Sequence, residues 1–114
     1  MTEPFEPYFD KKIDKWLDDR GITKNGTSMG QAIKTLEETT ELLDAINHND
    51  EAAIIDAVGD IYVTIRGVCK VRGISFDKCV RAAYNEIKDR RGHLTNGGTF
   101  IKEKEIEKRI PSSN

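Results

Sequence analysis

A chain of 114 residues is the length of one domain, with a core small enough to gain from being shared with other copies. One third of the residues are charged (33%), yet the formal net charge is only -2, so the chain lacks the basic field expected of a protein that binds duplex nucleic acid. Met1 to Asp10 has no positive flank followed by an apolar run, and no stretch approaches the roughly 18 apolar residues of a membrane span, so a soluble cytoplasmic protein is expected.

In chain order, residues 6–20 place Phe9, Ile13, Trp16 and Leu17 at helical spacing, with Pro7 tolerable in a first turn and Gly21 a natural stop. Residues 22–27 read as a turn-rich connection around Asn25-Gly26. Ser28 can then cap a second helix running to about Asn47, whose core stripe is Met29, Ala32, Ile33, Leu36, Leu43 and Ile46. A third helix is predicted from about Asp50 to Arg72, ended by Gly73. A fourth is predicted from Ser75 to about Arg91, ended by Gly92 and burying Phe76, Cys79, Val80, Ala83 and Ile87. Beyond it Asn96-Gly97-Gly98 signals a turn, and the charged run from Lys102 to Arg109 reads as a strand-like arm passing into a frayed helix. Residues 111–114 are expected to be disordered, leaving 1–110 as a single domain. Cys69 and Cys79 have neither zinc nor redox spacing and are expected to be reduced and buried. Four helices with short connections make an all-α antiparallel four-helix bundle with a C-terminal arm the expected architecture.

The third predicted helix is the most informative. Its core arc is Ile54, Ile55, Val58, Ile61, Tyr62, Ile65 and Val68, but the opposite side carries Ala53, Ala57, Val63, Gly67 and Val71 in place of polar residues. A helix apolar almost all round is covered on most sides, which points towards association with a second subunit. Between Ala52 and Ile65 its only charges are Asp56 and Asp60, one turn apart, and two desolvated carboxylates so placed call for a cation. Lys34, Glu37, Glu38, Glu41 and Asp44 lie opposite Leu36 and Leu43 and by themselves resemble an ordinary solvated face. Paired with Asp56 and Asp60 on the next helix, Glu38 and Glu41 become candidate ligands, and an oxygen-only set suits Mg²⁺ or Mn²⁺. On the fourth predicted helix Arg81, Asn85 and Lys88 form a stripe with Arg91 near its edge, a place where cations could hold a polyphosphate, although basic residues there also complement the helix dipole.

The segment Lys34-Thr-Leu-Glu-Glu-Thr-Thr-Glu-Leu-Leu-Asp-Ala-Ile46, followed by Asp56-Ala-Val-Gly-Asp-Ile-Tyr62, resembles the MazG-like all-α nucleoside triphosphate pyrophosphohydrolases, whose signature is Glu-x-x-Glu, a gap, then Glu-x-x-Asp. The run from Tyr84 to Gly92 and the segment Gly98-Thr-Phe-Ile-Lys-Glu103 look like the short phage-type members, which would place the protein in a host cytoplasm. The resemblance implies that Glu38, Glu41 and Asp60 are catalytic metal ligands for two or more Mg²⁺ or Mn²⁺ ions. Glu37 would bind a further ion or orient the attacking water, and Lys34, Asn85, Lys88 and Arg91 would contact substrate phosphates. The second motif's Glu falls on Ala57, so Asp56 is the candidate replacement ligand. Trp16 could stack on a base, as aromatics of the first helix do in related enzymes, but its spacing with Ile13 and Leu17 favours core packing. His48 and His93 have no motif around them.

The implied reaction is hydrolysis of a (d)NTP between its α- and β-phosphates to a monophosphate and pyrophosphate, in a homodimer or homotetramer, serving pool cleansing or phage pool remodelling such as dGTP to dGMP. Two rivals stand beside it. One is a non-catalytic helical interaction module with an acidic face. The other has the same fold acting on phosphoribosyl-ATP or a modified nucleotide.

Overall fold

A computed structural model describes residues 5–103 of the chain, which are helical apart from loops and one short hairpin. The predicted helix past Lys102 and the tail from Pro111 to Asn114 lie outside the described residues, except for Lys102 and Glu103. The chain divides into two compact units, residues 1–76 and 77–114, each taken by itself below.

The first unit holds α1 (Phe5–Asp19), α2 (Ile22–Asn25), α3 (Ser28–Asn47) and α4 (Glu51–Arg72). Gly21, at φ 79°, turns the chain out of α1 in a left-handed conformation that costs glycine little. The connection read as irregular contains the single helical turn α2, closed by Gly26 N–H donating to the Ile22 carbonyl. Thr27, one residue before the expected Ser28, caps α3 by accepting from Gly30 N–H at 2.9 Å. Asp50 caps α4 by accepting from Ala53 N–H at 3.1 Å. At the far end of α4 Gly73 N–H bonds to the Lys70 carbonyl and Ile74 N–H to the Cys69 carbonyl, the paired closure of a Schellman motif.

Helix α4 is the axis of this unit, since α1, α2 and α3 all pack on it. The Thr35 and Thr64 hydroxyls lie 2.8 Å apart and Gln31 abuts Gly67, so residue numbers fall on α3 as they rise on α4 and the two run antiparallel. Asp10, Asp14 and Asp18 of α1 meet Tyr62, Arg66 and Lys70 of α4 in ascending order, so these two run parallel. Helices one, two and three of the expected bundle therefore alternate up, down, up.

The faces they use differ from the expected ones. Against α3, helix α4 buries Ala57, Thr64 and Gly67, while Ile55 (65% exposed), Val58 and Ile65 of the expected core arc are exposed. On α3 Ala45 is buried, whereas Met29, Ala32, Ile33, Leu36 (67% exposed), Leu43 and Ile46 are exposed. The cause is steric. Two helix backbones approach most closely where side chains are small, so the small residues take the seam and the bulky ones are left for a further layer. Leu17 of α1 is fully buried, but Phe9 is exposed, and so is Trp16 (44%), whose ring carries the Arg20 guanidinium at 5.5 Å, so the core role expected of Trp16 is not observed. Cys69 is buried and Cys79 exposed, the latter against expectation; neither forms a disulfide.

The second unit contains α5 (Phe76–Ile87) beyond its first residue, then β1 (Gly92–Leu94) and β2 (Phe100–Lys102). Helix α5 stops about four residues short of the expected Arg91. After Ile87 the chain turns, with Arg90 N–H donating to the Ile87 carbonyl, and the Arg91 carbonyl is taken by Glu103 N–H from the returning strand. Cys79, Val80, Ala83 and Ile87, expected to be buried, are exposed, and Phe76 is half-buried. A two-stranded hairpin is too small to cover an amphipathic helix. The strands pair antiparallel with Gly92 opposite Lys102, His93 opposite Ile101 and Leu94 opposite Phe100, and Gly98, at φ 84°, shapes the turn.

Gly92 is required by close approach. A Cβ there would collide with the Ile101 carbonyl, a backbone atom that cannot swing aside. Gly92→Ala should therefore open the hairpin at a cost of about 1–3 kcal/mol, read as lost hydrogen-exchange protection at the Glu103 amide with α3 and α4 unaffected. Retained protection would mean that the strands shift without parting.

Candidate metal centre

Glu38 lies on the seam face of α3 with Gln31 and Thr35, the residues that meet α4. It is half-buried, and its Oε2 is enclosed with no hydrogen-bond partner, an expensive condition for a carboxylate. Loss of hydration pushes its pKa up, and the charges of Glu41 and Asp60 push it further. Asp60, half-buried on α4, is raised first by burial and then by the charge of Asp56 and a hydrogen bond to it. The two helices thus bring Glu38, Glu41, Asp56 and Asp60 into one electrostatic neighbourhood, which is the pairing that the sequence spacing anticipates.

Glu37 stands apart from these four. It takes a hydrogen bond from Lys34 at 3.1 Å, one turn away on the exposed side of α3. Lys34 is raised by that bond and by the charge of Glu37, with smaller contributions from Glu38 and Glu41, so it forms a cationic rim to the acidic group. Among the described residues no three His, Cys, Asp or Glu side chains converge into a ready-made cation cage. Repulsion within the group opposes such convergence in the absence of a counter-charge.

The donor set nevertheless fits a hard divalent cation, because the orphaned Glu38 oxygen and the Asp56–Asp60 pair are the defects that such an ion removes. Ala57 is buried in the seam at 4% exposure, so the α4 acid adjoining Asp60 is the exposed Asp56 one residue earlier.

The phosphate candidates lie in the second unit. Asn85 and Arg91, together with Glu86, Asp89, Arg90, Lys102 and Glu103, line a cavity of about 550 Å³. Lys88 is exposed and does not line it, whereas Lys102, which the sequence reading did not single out, does. No local sequence signal finds Lys102: its place is set by the hairpin register, which pairs it with Gly92, the residue after Arg91. His48 serves locally: its Nδ1 lies 2.9 Å from the Asp44 carbonyl at the end of α3, which raises its pKa together with the Asp44 charge.

The other feature that the sequence reading missed is the contact of α1 with α4. The Arg66 guanidinium donates to both Asp14 oxygens at 2.9 and 2.8 Å and to the Tyr62 hydroxyl at 3.1 Å, and it packs on the Phe76 ring at 5.2 Å. Tyr62 donates in turn to Asp10, while Lys70 pairs with Asp18 at 3.2 Å. Matching intervals of four, Asp10, Asp14 and Asp18 against Tyr62, Arg66 and Lys70, were the available signal.

Comparison with known proteins places these observations. The chain is 34% identical over 55 residues to an uncharacterized 18.2 kDa protein in the rep-hol intergenic region of Haemophilus phage HP1 (strain HP1c1). The match covers 48% of this chain and 34% of that protein, so the chain spans about a third of the relative's length. No solved structure matches the chain. Among the described residues no helix is long and apolar enough to cross a membrane. The family model of the MazG nucleotide pyrophosphohydrolase domain matches residues 27–95, which include all four clustered carboxylates and well over half of the sequence, and the chain accordingly belongs to the MazG family.

Proposed function

We propose that the protein is a Mg²⁺- or Mn²⁺-dependent pyrophosphohydrolase that cleaves one or more (d)NTPs between the α- and β-phosphates, releasing a monophosphate and pyrophosphate. Family membership supports the reaction class. The observation that carries the reading is the enclosed, unpartnered Oε2 of Glu38 in a seam shared with Asp60, since such a carboxylate is sustained by binding a cation. Glu38, Glu41 and Asp60 would hold the ions, with Asp56 taking the ligand position that Ala57 vacates. Divalent ions bound there supply charge neutralisation for phosphate oxygens and acidify an attacking water. Glu37, turned to the exposed side of α3, would bind a further ion or orient that water. Lys34, at the rim of the same group, would contact a substrate phosphate.

The exposed apolar stripe Met29, Ile33, Leu36 and Leu43 of α3 supports a homodimer or homotetramer, because an isolated soluble chain rarely leaves such a row in water. A role in cleansing or remodelling a nucleotide pool, dGTP to dGMP among the possibilities, follows from the reaction, and the half-exposed Trp16 ring would serve as a base platform.

The test is incubation of the protein with a panel of (d)NTPs, phosphoribosyl-ATP and modified nucleotides in Mg²⁺, with separation of products. A monophosphate and pyrophosphate are expected from at least one (d)NTP. Release of inorganic phosphate and a diphosphate would overturn the assignment. Turnover of phosphoribosyl-ATP alone would keep the cleavage and replace the substrate.

A further inference from the structure

We infer that Thr35 and Thr64 are positioning residues of the metal centre, a hydroxyl tie across the α3–α4 seam that holds the helices bearing Glu38 and Asp60 close enough to share a divalent ion. The inference deepens the pyrophosphohydrolase reading and rests on it for the ion. Every residue it uses lies in the first compact unit. The seam is built in layers. Gln31 abuts Gly67, and the Thr35 and Thr64 hydroxyls lie 2.8 Å apart. Glu38 stands three residues after Thr35 on α3 and Asp60 four residues before Thr64 on α4, so the antiparallel register makes these carboxylates the next layer, about 5 Å along the axis. Buried Ala57, three residues before Asp60, follows on the α4 side. The carboxylate layer thus has the hydroxyl pair on one side and a bare methyl group on the other.

The protons of the pair can be assigned. Thr64 Oγ1 donates to the Ile61 carbonyl at 2.9 Å, and Thr35 Oγ1 lies 2.9 Å from the Gln31 carbonyl as well as 2.8 Å from Thr64 Oγ1. Two hydroxyls supply two protons for these three contacts. Both carbonyls already accept a helix N–H, so either can forgo a hydroxyl, whereas two oxygens this close with no proton between them would repel. The bond across the helices is the one that is kept. Stability does not account for it. Thr64 is buried, and replacing both partners of a buried hydrogen bond by apolar groups of the same shape can be nearly neutral. What a pair of valines cannot supply is a directional bond of fixed length. Without an ion the charges of Glu41, Asp56 and Asp60 act against that of Glu38, and the Ala57 methyl has no bond with which to resist separation of the helices. The tie opposes that separation one turn away, so an ion meets ligands already close and does not have to draw the helices together.

The experiment is calorimetric titration of the full-length protein with Mn²⁺, using wild type, Thr35→Val, the pair Thr35→Val with Thr64→Val, the pair Thr35→Ser with Thr64→Ser, and Thr40→Val. Thermal melts without metal check folding. Thr40 is exposed and donates to the Leu36 carbonyl at 3.0 Å, so Thr40→Val removes the same kind of bond to the α3 backbone without touching the seam. Thr35→Val leaves the Thr64 proton on the Ile61 carbonyl and strands nothing, so it reads the tie even if the double valine variant does not fold. Thr35→Val and the valine pair should each bind Mn²⁺ about tenfold more weakly than wild type, the scale for residues that orient metal ligands, and by equal amounts, since either removes the one tie. Their metal-free melting temperatures should stay within about 3 °C of wild type. The serine pair keeps both hydroxyls and Thr40→Val spares the seam, so both should bind within about twofold of wild type. Wild-type affinity in Thr35→Val would overturn the inference. An equal loss in Thr40→Val would also overturn it, by tracing the effect to the α3 backbone, and an equal loss in the serine pair would do so by reducing the threonines to packing. Wild type that binds no Mn²⁺ would remove the metal reading and the tie together, whereas a tenfold loss in the valine variants of a protein that cleaves no nucleotide would support the tie and remove the reaction.

Discussion

Asp60→Asn should lower nucleotide hydrolysis by more than about 100-fold, because even residues that merely orient a metal ligand contribute 10–100-fold. The same variant should be no less stable than wild type without metal, which separates a functional carboxylate from a structural one. Asp60 is held above the usual carboxylate range by burial and by Asp56, and Glu38 by burial, Glu41 and Asp60. A carboxyl whose pKa is higher folded than unfolded binds more protons when folded, so stability falls as pH rises through the interval between the two values. The penalty is fully present above the raised folded value and disappears as pH falls towards the ordinary carboxylate value. Wild-type protein without metal should therefore melt higher as pH falls through the interval between the raised values and the ordinary carboxylate range, Asp60→Asn should flatten that slope, and Mn²⁺ should raise the wild-type melting temperature at neutral pH. Full activity in Asp60→Asn would remove the metal centre, and an unchanged melt with Mn²⁺ would remove the cation from it.

Arg66→Met should cost about 3 kcal/mol of stability, the scale for removing one partner of a largely buried ion pair. The Arg66 side chain is 11% exposed and that of Asp14 28%, and their hydrogen bonds are bidentate. Bonding to Asp14 holds the guanidinium far above its already high ordinary pKa, so it remains charged at any pH at which the protein folds. Removing it strands Asp14, leaves Asp10 without its cation and empties the space against Phe76. A melting temperature roughly 10–20 °C lower is expected for a domain of this size. The double variant Arg66→Met with Asp14→Leu should recover part of the loss, since a matched apolar pair no longer strands a charge. A shift of less than about 1 kcal/mol in the single variant would mean that apolar burial alone holds α1 to α4.

What could be read in advance followed from local chemistry. Gly21, Asp50 and Gly73 mark helix boundaries because caps and left-handed turns are decided within a few residues, and all three act as expected. That Glu38 lies one turn from Glu41 and Asp56 one turn from Asp60 was legible, because spacing within a helix survives any packing, whereas the meeting of the two pairs depends on the packed face. The choice of packed face was not. Hydrophobic periodicity selects the bulky arc of Ile55, Val58 and Ile65, but contact with α3 selects Ala57, Thr64 and Gly67, since closeness of approach outweighs apolar area at that seam. Lys102 escaped for a different reason: its placement depends on strand register, which a short hairpin fixes only through three-dimensional contacts such as the one at Gly92.

The contact of α1 with α4 has an ambiguity built into it. Three acids at intervals of four face three partners at the same interval, so sliding α1 by one turn, about 5.4 Å, would still set Asp10 against Arg66 and Asp14 against Lys70. The ladder alone therefore defines a position only modulo one helical turn, as a vernier does without its zero mark. The zero is supplied by the end of the helix, where Gly21 reverses the chain and the Thr23 hydroxyl of α2 donates to Asp18 at 2.6 Å. The distance of any α1 side chain along the axis from Asp60 is set in whole turns, and one short helix chooses which.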